Sequence, residues 1–253
     1  MTNSREQGAI VVIPARHDSV RFPGKPLAPI AGRAMIARVY ERAKKAERVA
    51  RVIVATEDER ILQAVKDFGG EAIMTRRDHS CGTDRIAEVA AHVPAAIYVD
   101  VQGDEPLIDP AAIDAIVRAM EEDEAIQIAT PSATIKVASE IMDPNVVKVV
   151  TDFDGNALYF SRAPIPWVRD RGASVAARHA KHIGLYAFRR EALLEFATFP
   201  PGELERIEQL EQLRWLENGY RIRVVEVEYD AVSVDVPADV ARVEKILQER
   251  GES

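Results

Sequence analysis

Apolar β-formers run unbroken over residues 10–13, stop at Pro14, and are followed within twelve residues by Arg16, Arg21 and Lys25. A short continuous apolar run bounded by a turn signal reads as a buried parallel strand. The three cations therefore fall on the loop beyond its carboxyl end, where open α/β sheets bind ligands. Further along, Ile36, Val39, Tyr40 and Ala43 recur at helical spacing and predict a helix over 34–46. A second strand is expected over 51–55. Thr56, Glu57 and Asp58 then supply caps for a helix carrying Ile61, Leu62, Val65 and Phe68, stopped by Gly69 and Gly70. A third strand over 71–74, a helix with Ile86, Val89 and Ala90 inward, a fourth strand over 95–101 and a helix over 110–122 follow. Four strand–helix alternations predict a mostly parallel α/β sheet with helices on both faces.

From residue 126 the rhythm changes. Strand-like stretches at 126–135 and 146–151 lead to Asp154-Gly155, a hairpin signal, and a strand over 156–161. Residues 163–180 carry glycine and proline breakers and poor periodicity, which predicts a flexible excursion serving as lid or interface. Then come one strand over 181–188, one helix over 203–216 closed by Asn218-Gly219, a strand over 222–227, and a last helix beginning near Pro237. Along the helix over 203–216, Glu205, Glu208, Glu211 and Gln212 read mostly as a solvated face whose far end could reach a cleft. With no repeat and no linker, the 253 residues predict a single domain with a β-rich excursion at about 126–188.

The net charge of −8 argues against a nucleic-acid backbone as partner and makes the basic first loop stand out. One cysteine, Cys81, leaves no internal disulfide and fits a reducing compartment. A polar amino terminus and the lack of any membrane-length apolar run predict a cytoplasmic protein with no membrane insertion.

Three fixed cations at a strand end suit a polyphosphate; the alternative is a solvated basic loop. Neither a GxGxxG nor a P-loop is present, so phosphate must be held differently. Asp104 lies just beyond the fourth strand, at the same sheet edge. A carboxylate beside phosphate is tolerable if a divalent cation sits between them, and Mg²⁺ takes one or two carboxylates together with substrate oxygens. Spacing serves equally well an ordinary Gly103-Asp104 turn. Asp235 is a second candidate, although a residue at a helix start explains it too. The five histidines form no zinc pattern, no GxSxG turn occurs, and His182 inside an apolar strand reads by default as a core histidine.

Taken together, IPARHDSVRFPGKPL, RDHSCGTDRIAEVA, VQGDEPLI, PNVVKVVTDFDGNALYFSRAPIPW, KHIGLYAFR, IEQLEQLR and VDVPADV resemble the 3-deoxy-manno-octulosonate cytidylyltransferase family, in the family's order and over nearly the whole chain. The resemblance implies a Rossmann-like nucleotide-diphosphosugar-transferase fold. It also implies a reaction in which CTP and 3-deoxy-D-manno-octulosonate (Kdo) give CMP-Kdo and pyrophosphate for lipopolysaccharide synthesis, with Mg²⁺ as cofactor and a homodimer as the assembly. By the same resemblance Ala15, Arg16 and Lys25 hold the triphosphate with Arg21 supporting the loop, and Arg76, Ser80, Gly82 and Thr83 meet cytosine. Asp104 and Asp235 bind the metal, so that Arg16, Lys25, Asp104 and Asp235 form the catalytic set. Gln102, Arg162, His182, Tyr186, Glu211 and Gln212 line the sugar pocket. Cys81 stands where the family usually has serine, and a thiol is the weaker hydrogen-bonding group. Rival readings are the same chemistry on sialic acid or an 8-amino analogue of Kdo, a catalytically silent nucleotide-binding regulator, and a glycosyltransferase. The last would want a DxD metal motif, which Asp100-Val101-Gln102 does not complete.

Overall fold

The computed structural model describes residues 8–18, 21–169, 178–229 and 231–252. Strand β1 (Ala9–Ala15) is followed by a 3₁₀ turn (Lys25–Leu27) and a two-residue ribbon of β2 (Pro29–Ile30) and β3 (Arg33–Ala34). Then α1 (Met35–Ala43), β4 (Val49–Thr56), α2 (Glu59–Asp67), β5 (Glu71–Met74), α3 (Gly82–His92), β6 (Ile97–Asp100) and α4 (Pro110–Glu122) alternate as the periodicity predicts. Asp58 caps α2, its carboxylate accepting from the Arg60 amide, and Asp109 caps α4 in the same way.

Strands β5, β4, β1 and β6 lie side by side and parallel, the Rossmann-like half of the sheet. Alternation within β1 assigns its two faces. Ala9, Val11, Ile13 and Ala15 pack with Ile36 and Val39 of α1, Ile61 and Val65 of α2, and Ile113 and Val117 of α4. Ile10 and Val12 point the other way, into a cluster with Ile86 and Val89 of α3. Both faces are dry, so β1 is apolar throughout.

The second half is the expected β-rich excursion. It contains β7 (Ile128–Thr134), a short α5 (Ala138–Met142), β8 (Lys148–Thr151), β9 (Ala157–Ser161), β10 (Ala180–His182) and β11 (Tyr186–Arg189). It extends the same sheet, β11 pairing antiparallel with β6 and carrying the order on through β7, β10, β8 and β9. Of the segment expected to be flexible, residues 170–177 lie outside the described residues.

The sequence predicts one strand over 181–188; the structure has two pieces. Lys181 pairs with Ala133 and His182 with Ser132, whereas Ala187 pairs with Ala129 and Phe188 with Ile128, so two extra residues are absorbed between the pieces. This is a bulge at 183–185, where the Leu185 amide turns back to the Ile183 carbonyl at 2.7 Å. One piece pairs with β8 and the other with β6, so the run joins both halves of the sheet.

The remainder is α6 (Arg190–Phe196), α7 (Glu203–Glu208), α8 (Leu213–Glu217), β12 (Arg223–Glu226) and α9 (Ala238–Glu249). Helix α6 has no counterpart in the sequence reading. The single helix expected over 203–216 is broken at Gln209, whose φ is +54°. The break overturns the solvated glutamate face. Glu205 pairs with Arg214, Glu208 accepts from the Ser161 hydroxyl at 2.6 Å, and Glu211 accepts from the Thr83 hydroxyl. A third cluster, with Ile30, Met35, Leu107, Val234, Val243 and Leu247, docks α9 and the segment before it.

Candidate active site

The carboxyl ends of β1 and β6 meet in a hollow of about 340 Å³ lined by Pro14, Ala15, Arg16, Asp18, Arg21, Lys25, Gln102, Gly103 and Asp104. Their approach depends on Gly103, since a Cβ there would stand 2.9 Å from the Pro14 carbonyl oxygen. Beside it, the basic loop closes on itself: the Gly24 amide donates to the His17 carbonyl at 2.9 Å, and Gly24 takes φ +72° before Lys25 enters the 3₁₀ turn.

Lys25 is the hub of this hollow. Its Nζ lies 2.6 Å from Asp104 Oδ2 and 3.9 Å from Asp235 Oδ1, and Arg21 Nη2 donates to the same Asp235 oxygen at 2.9 Å. Asp235 comes from far along the chain. Val234, fully buried in the third cluster, donates its amide to the Asp104 carbonyl at 2.9 Å and brings its neighbour to the strand ends. The Asp239 side chain accepts from the Asp235 and Val236 amides, which fixes the turn into α9. The two candidate metal ligands thus converge on one cation.

The floor behind Lys25 is acidic. Burial raises the Asp100 carboxyl well above the usual carboxylate range, with Glu211 and Asp104 adding to the effect; both of its oxygens accept from Gln102 Nε2, at 2.9 and 2.8 Å. Burial, and then Asp104, push Glu105 up to about 8, and the Tyr229 hydroxyl donates to it at 3.3 Å. Both of these carboxyls are buried beneath the hollow, whereas Asp104 and Asp235 stand half-buried beside Lys25, a pair of hard oxygen donors that fits Mg²⁺ completed by water and phosphate oxygens. No group of three or more His, Cys, Asp or Glu arranged to hold a metal occurs among the described residues.

The loop expected to meet cytosine runs from β5 into α3. Glu88 accepts from the Arg76 amide at 3.1 Å and binds the buried His79 ring, pinning the loop's base, while the Arg76 side chain stays exposed. Ser80 donates to Asp84 at 2.5 Å. A Cβ at Gly82 would stand 3.4 Å from Pro14 Cγ, so this loop lies against the end of β1. Thr83 and Cys81 both turn toward Glu211; burial, and then Glu211, hold the thiol protonated.

The expected sugar residues gather around the bulge. Burial pushes the His182 imidazole down to about 3, so the ring is neutral. Thr130 Oγ1 donates to the Leu185 carbonyl at 2.8 Å and therefore accepts from His182 Nε2, 3.0 Å away. This fixes the tautomer and leaves Nδ1 as a bare acceptor. The ring stands 5.3 Å from Tyr186 and 5.0 Å from Phe160. Burial raises the Tyr186 hydroxyl, and Glu211 and Asp100 add to it, so these groups share one enclosure. Gln212 is buried, and its Nε2 lacks a hydrogen-bond partner. Arg162 is otherwise engaged: its guanidinium donates to the carbonyls of Glu208, Pro144 and Gln209 at 2.7, 2.9 and 3.2 Å, tying β9 to the broken helix. The sequence reading assigned no site role to Asp100, Glu105, Glu57 or Arg85: Glu57 reads there as a helix-start residue and Asp100 as part of an incomplete DxD. Arg85 alone left a signal, a charge next to the apolar face of α3.

The sequence family described as Cytidylyltransferase matches residues 10–222. A 3-deoxy-manno-octulosonate cytidylyltransferase of Solibacter usitatus is 54% identical over 94% of this chain and 93% of its own length. The enzyme of that name from Syntrophotalea carbinolica is 55% identical over 94% and 97%. A CMP:2-keto-3-deoxy-manno-octonic acid synthetase solved in complex with CTP superposes with a TM-score of 0.91 at 45% identity, covering 96% of this chain and all of that one.

Proposed function

The chain belongs to the cytidylyltransferase family, and on that premise we propose that it transfers CMP from CTP to the anomeric hydroxyl of Kdo, giving CMP-Kdo and pyrophosphate. The observation that carries this reading is the identity above one half, over almost the full length, to relatives named for that reaction. The site's chemistry agrees with it. A basic loop at a strand end, two converging carboxylates and a neutral polar enclosure beside them suit a triphosphate, a metal and a polyhydroxylated sugar.

In this reading Arg16, Arg21 and Lys25 bind the triphosphate, and the hydroxyl oxygen of Kdo forms a bond to the α-phosphorus as the bridge to the β-phosphate breaks. Such transfers depend mainly on alignment and on charge stabilisation. Lys25 exchanges its carboxylate partners for phosphate oxygens, where negative charge grows. Asp104 and Asp235 would hold Mg²⁺, which when bound neutralises phosphate charge and acidifies the attacking hydroxyl. His182 Nδ1 accepts from a sugar hydroxyl, and Gln212 Nε2 donates to a sugar oxygen. The Thr83–Glu211 contact links the cytosine loop to the sugar pocket.

Ten strands among the described residues form one continuous sheet, which supports one domain with an excursion. Among the described residues no helix is long and apolar enough to cross a membrane, which agrees with a cytoplasmic enzyme supplying activated sugar for lipopolysaccharide. Trp167 and Met142, 65% and 64% exposed, rim an apolar hollow of about 250 Å³ with Ile141, Pro164 and Pro166. A second copy of the chain covering it would make the homodimer, which sedimentation of the protein and of Trp167→Asp tests.

Pyrophosphate release over a panel of nucleotides and acidic sugars tests the function. Release is expected with CTP and Kdo together and little with either alone. Equal release with GTP, or none with Kdo while sialic acid or 8-amino-Kdo reacts, would displace the substrate assignment.

A further inference from the structure

Strands β5, β4 and β1 are neighbours in that order, so the loop leaving β4 stands between the loops leaving β1 and β5. Glu57 occupies this middle loop. Arg85, in the first turns of α3, meets it with Nη2 2.8 Å from Glu57 Oε2, and the two side chains are 1% and 5% exposed. A pair this deep is weak evidence of stabilisation, because desolvation offsets the attraction. Its reach is more informative. The other carboxylate oxygen, Oε1, accepts a long hydrogen bond of 3.4 Å from the His17 amide, in the loop facing the triphosphate. Arg85 Nη1 donates to Thr75 Oγ1 at 2.5 Å and to the Arg76 carbonyl at 3.3 Å, at the start of the loop facing cytosine. One buried ion pair thus has an end on each loop.

We propose that Glu57 and Arg85 are positioning residues that couple the described parts of the phosphate loop, 15–18 and 21–25, to the base loop, 75–83, so that filling either one orders the other. The proposal rests on the CTP reading above and adds how the two ends of that nucleotide are sensed together. Neither residue touches the reacting atoms. Glu57 acts through the amide of His17, the neighbour of the lining residue Arg16, and Arg85 acts through the Thr75 hydroxyl and the Arg76 carbonyl. The charges around the pair agree with this role. Burial lowers the proton affinity of the Arg85 guanidinium, Glu57 raises it, and Arg16 lowers it again, so Glu57 offsets a like-charge contact beneath the phosphate loop.

Tripolyphosphate with Mg²⁺ has phosphates and no base, and it separates the two loops. Amide exchange of the full chain is measured with and without it. In the wild type, protection is expected in 15–25 and also in 75–83. In Glu57→Gln it is expected in 15–25 alone. Protection that stops at residue 25 in the wild type, or passes undiminished through Glu57→Gln, overturns the coupling. Absence of protection in 15–25 overturns the phosphate loop itself, and the coupling with it.

Steady-state kinetics give an independent arm should Glu57→Gln fail to fold. Arg85→Lys keeps the charge and loses the forked reach. Its KM for CTP should rise about tenfold, the size of one charge-assisted hydrogen bond, with kcat and the KM for Kdo nearly unchanged. A lower Tm with an unchanged KM for CTP would mark the pair as structural only and refute the proposal.

Discussion

The neutral His182 makes a quantitative prediction about stability. Its ordinary pKa is near 6.5, and burial takes it to about 3 in the folded chain. Between those values the unfolded chain takes up a proton that the folded chain refuses, so stability falls as pH falls. The contribution is fully present above the unfolded value and is lost progressively below it. The slope is about 1.4 kcal/mol per pH unit, which amounts to roughly 2 kcal/mol between pH 8 and pH 5. That figure depends only on the ring remaining neutral down to pH 5. Other groups titrate over the same range, so the measurement must be differential. His182→Gln removes the titration and keeps an N–H for Thr130. Urea unfolding of both proteins from pH 8 to pH 5 should give stability curves that converge, or cross, by about 2 kcal/mol toward acid. Parallel curves would mean the ring titrates normally and is exposed to water. Below about pH 6.5 the acceptor at Nδ1 would then be lost to protonation.

Three further outcomes follow from the geometry around Lys25. Asp104→Asn and Asp235→Asn should each lower turnover on the order of 10²–10³-fold, partly restored by raised Mg²⁺, and the double variant should be little worse than the worse single one; simple multiplication of the defects, without metal rescue, would separate their roles. Lys25→Ala should lower kcat more than it raises the KM for CTP, because the ammonium meets charge that grows in the transition state; a change in KM alone would make it a binding residue only. Gly103→Ala forces a methyl to 2.9 Å from the Pro14 carbonyl, and should cost about 1–3 kcal/mol of stability together with turnover, read from Tm and initial rates. A variant with normal rates would show that the β6 loop can withdraw without disturbing the site.

The sequence made the parallel half legible because its signals are local. The apolar run before Pro14, the cap at Asp58, and the spacing of Ile36, Val39, Tyr40 and Ala43 each follow from nearby residues. The site residues are those the resemblance implies, and the structure brings Lys25 to Asp104 and Asp235, and His182 to Tyr186. What stayed hidden depends on partners remote in sequence. Nothing near Gln209 announces a left-handed residue, because glutamine is an ordinary helix former, and it is the inward turn of Glu205, Glu208 and Glu211 that goes with the break. KHIGLYAF reads as one strand since only β6, β7 and β8 together impose two registers on it. Glu57 reads as a helix-start acid until Arg85 is seen beneath it. Arg162 was expected at the sugar, and its guanidinium is instead spent on three backbone carbonyls.

The bulge at 183–185 also acts as a gauge for the sugar pocket. On a regular strand His182 and Tyr186 would lie about 13 Å apart along the chain, too far for their rings to touch. Measured along β7, His182 stands opposite Ser132, and Tyr186, one residue before the Ala187–Ala129 pair, stands level with Thr130. The slack of two residues folds the strand so that its rings close to 5.3 Å over the Thr130 hydroxyl. Pocket width is therefore written in the number of residues between two fixed ladders. Lengthening or shortening that slack would resize the enclosure for a bulkier or smaller sugar while β6, β8 and the nucleotide loops stay where they are.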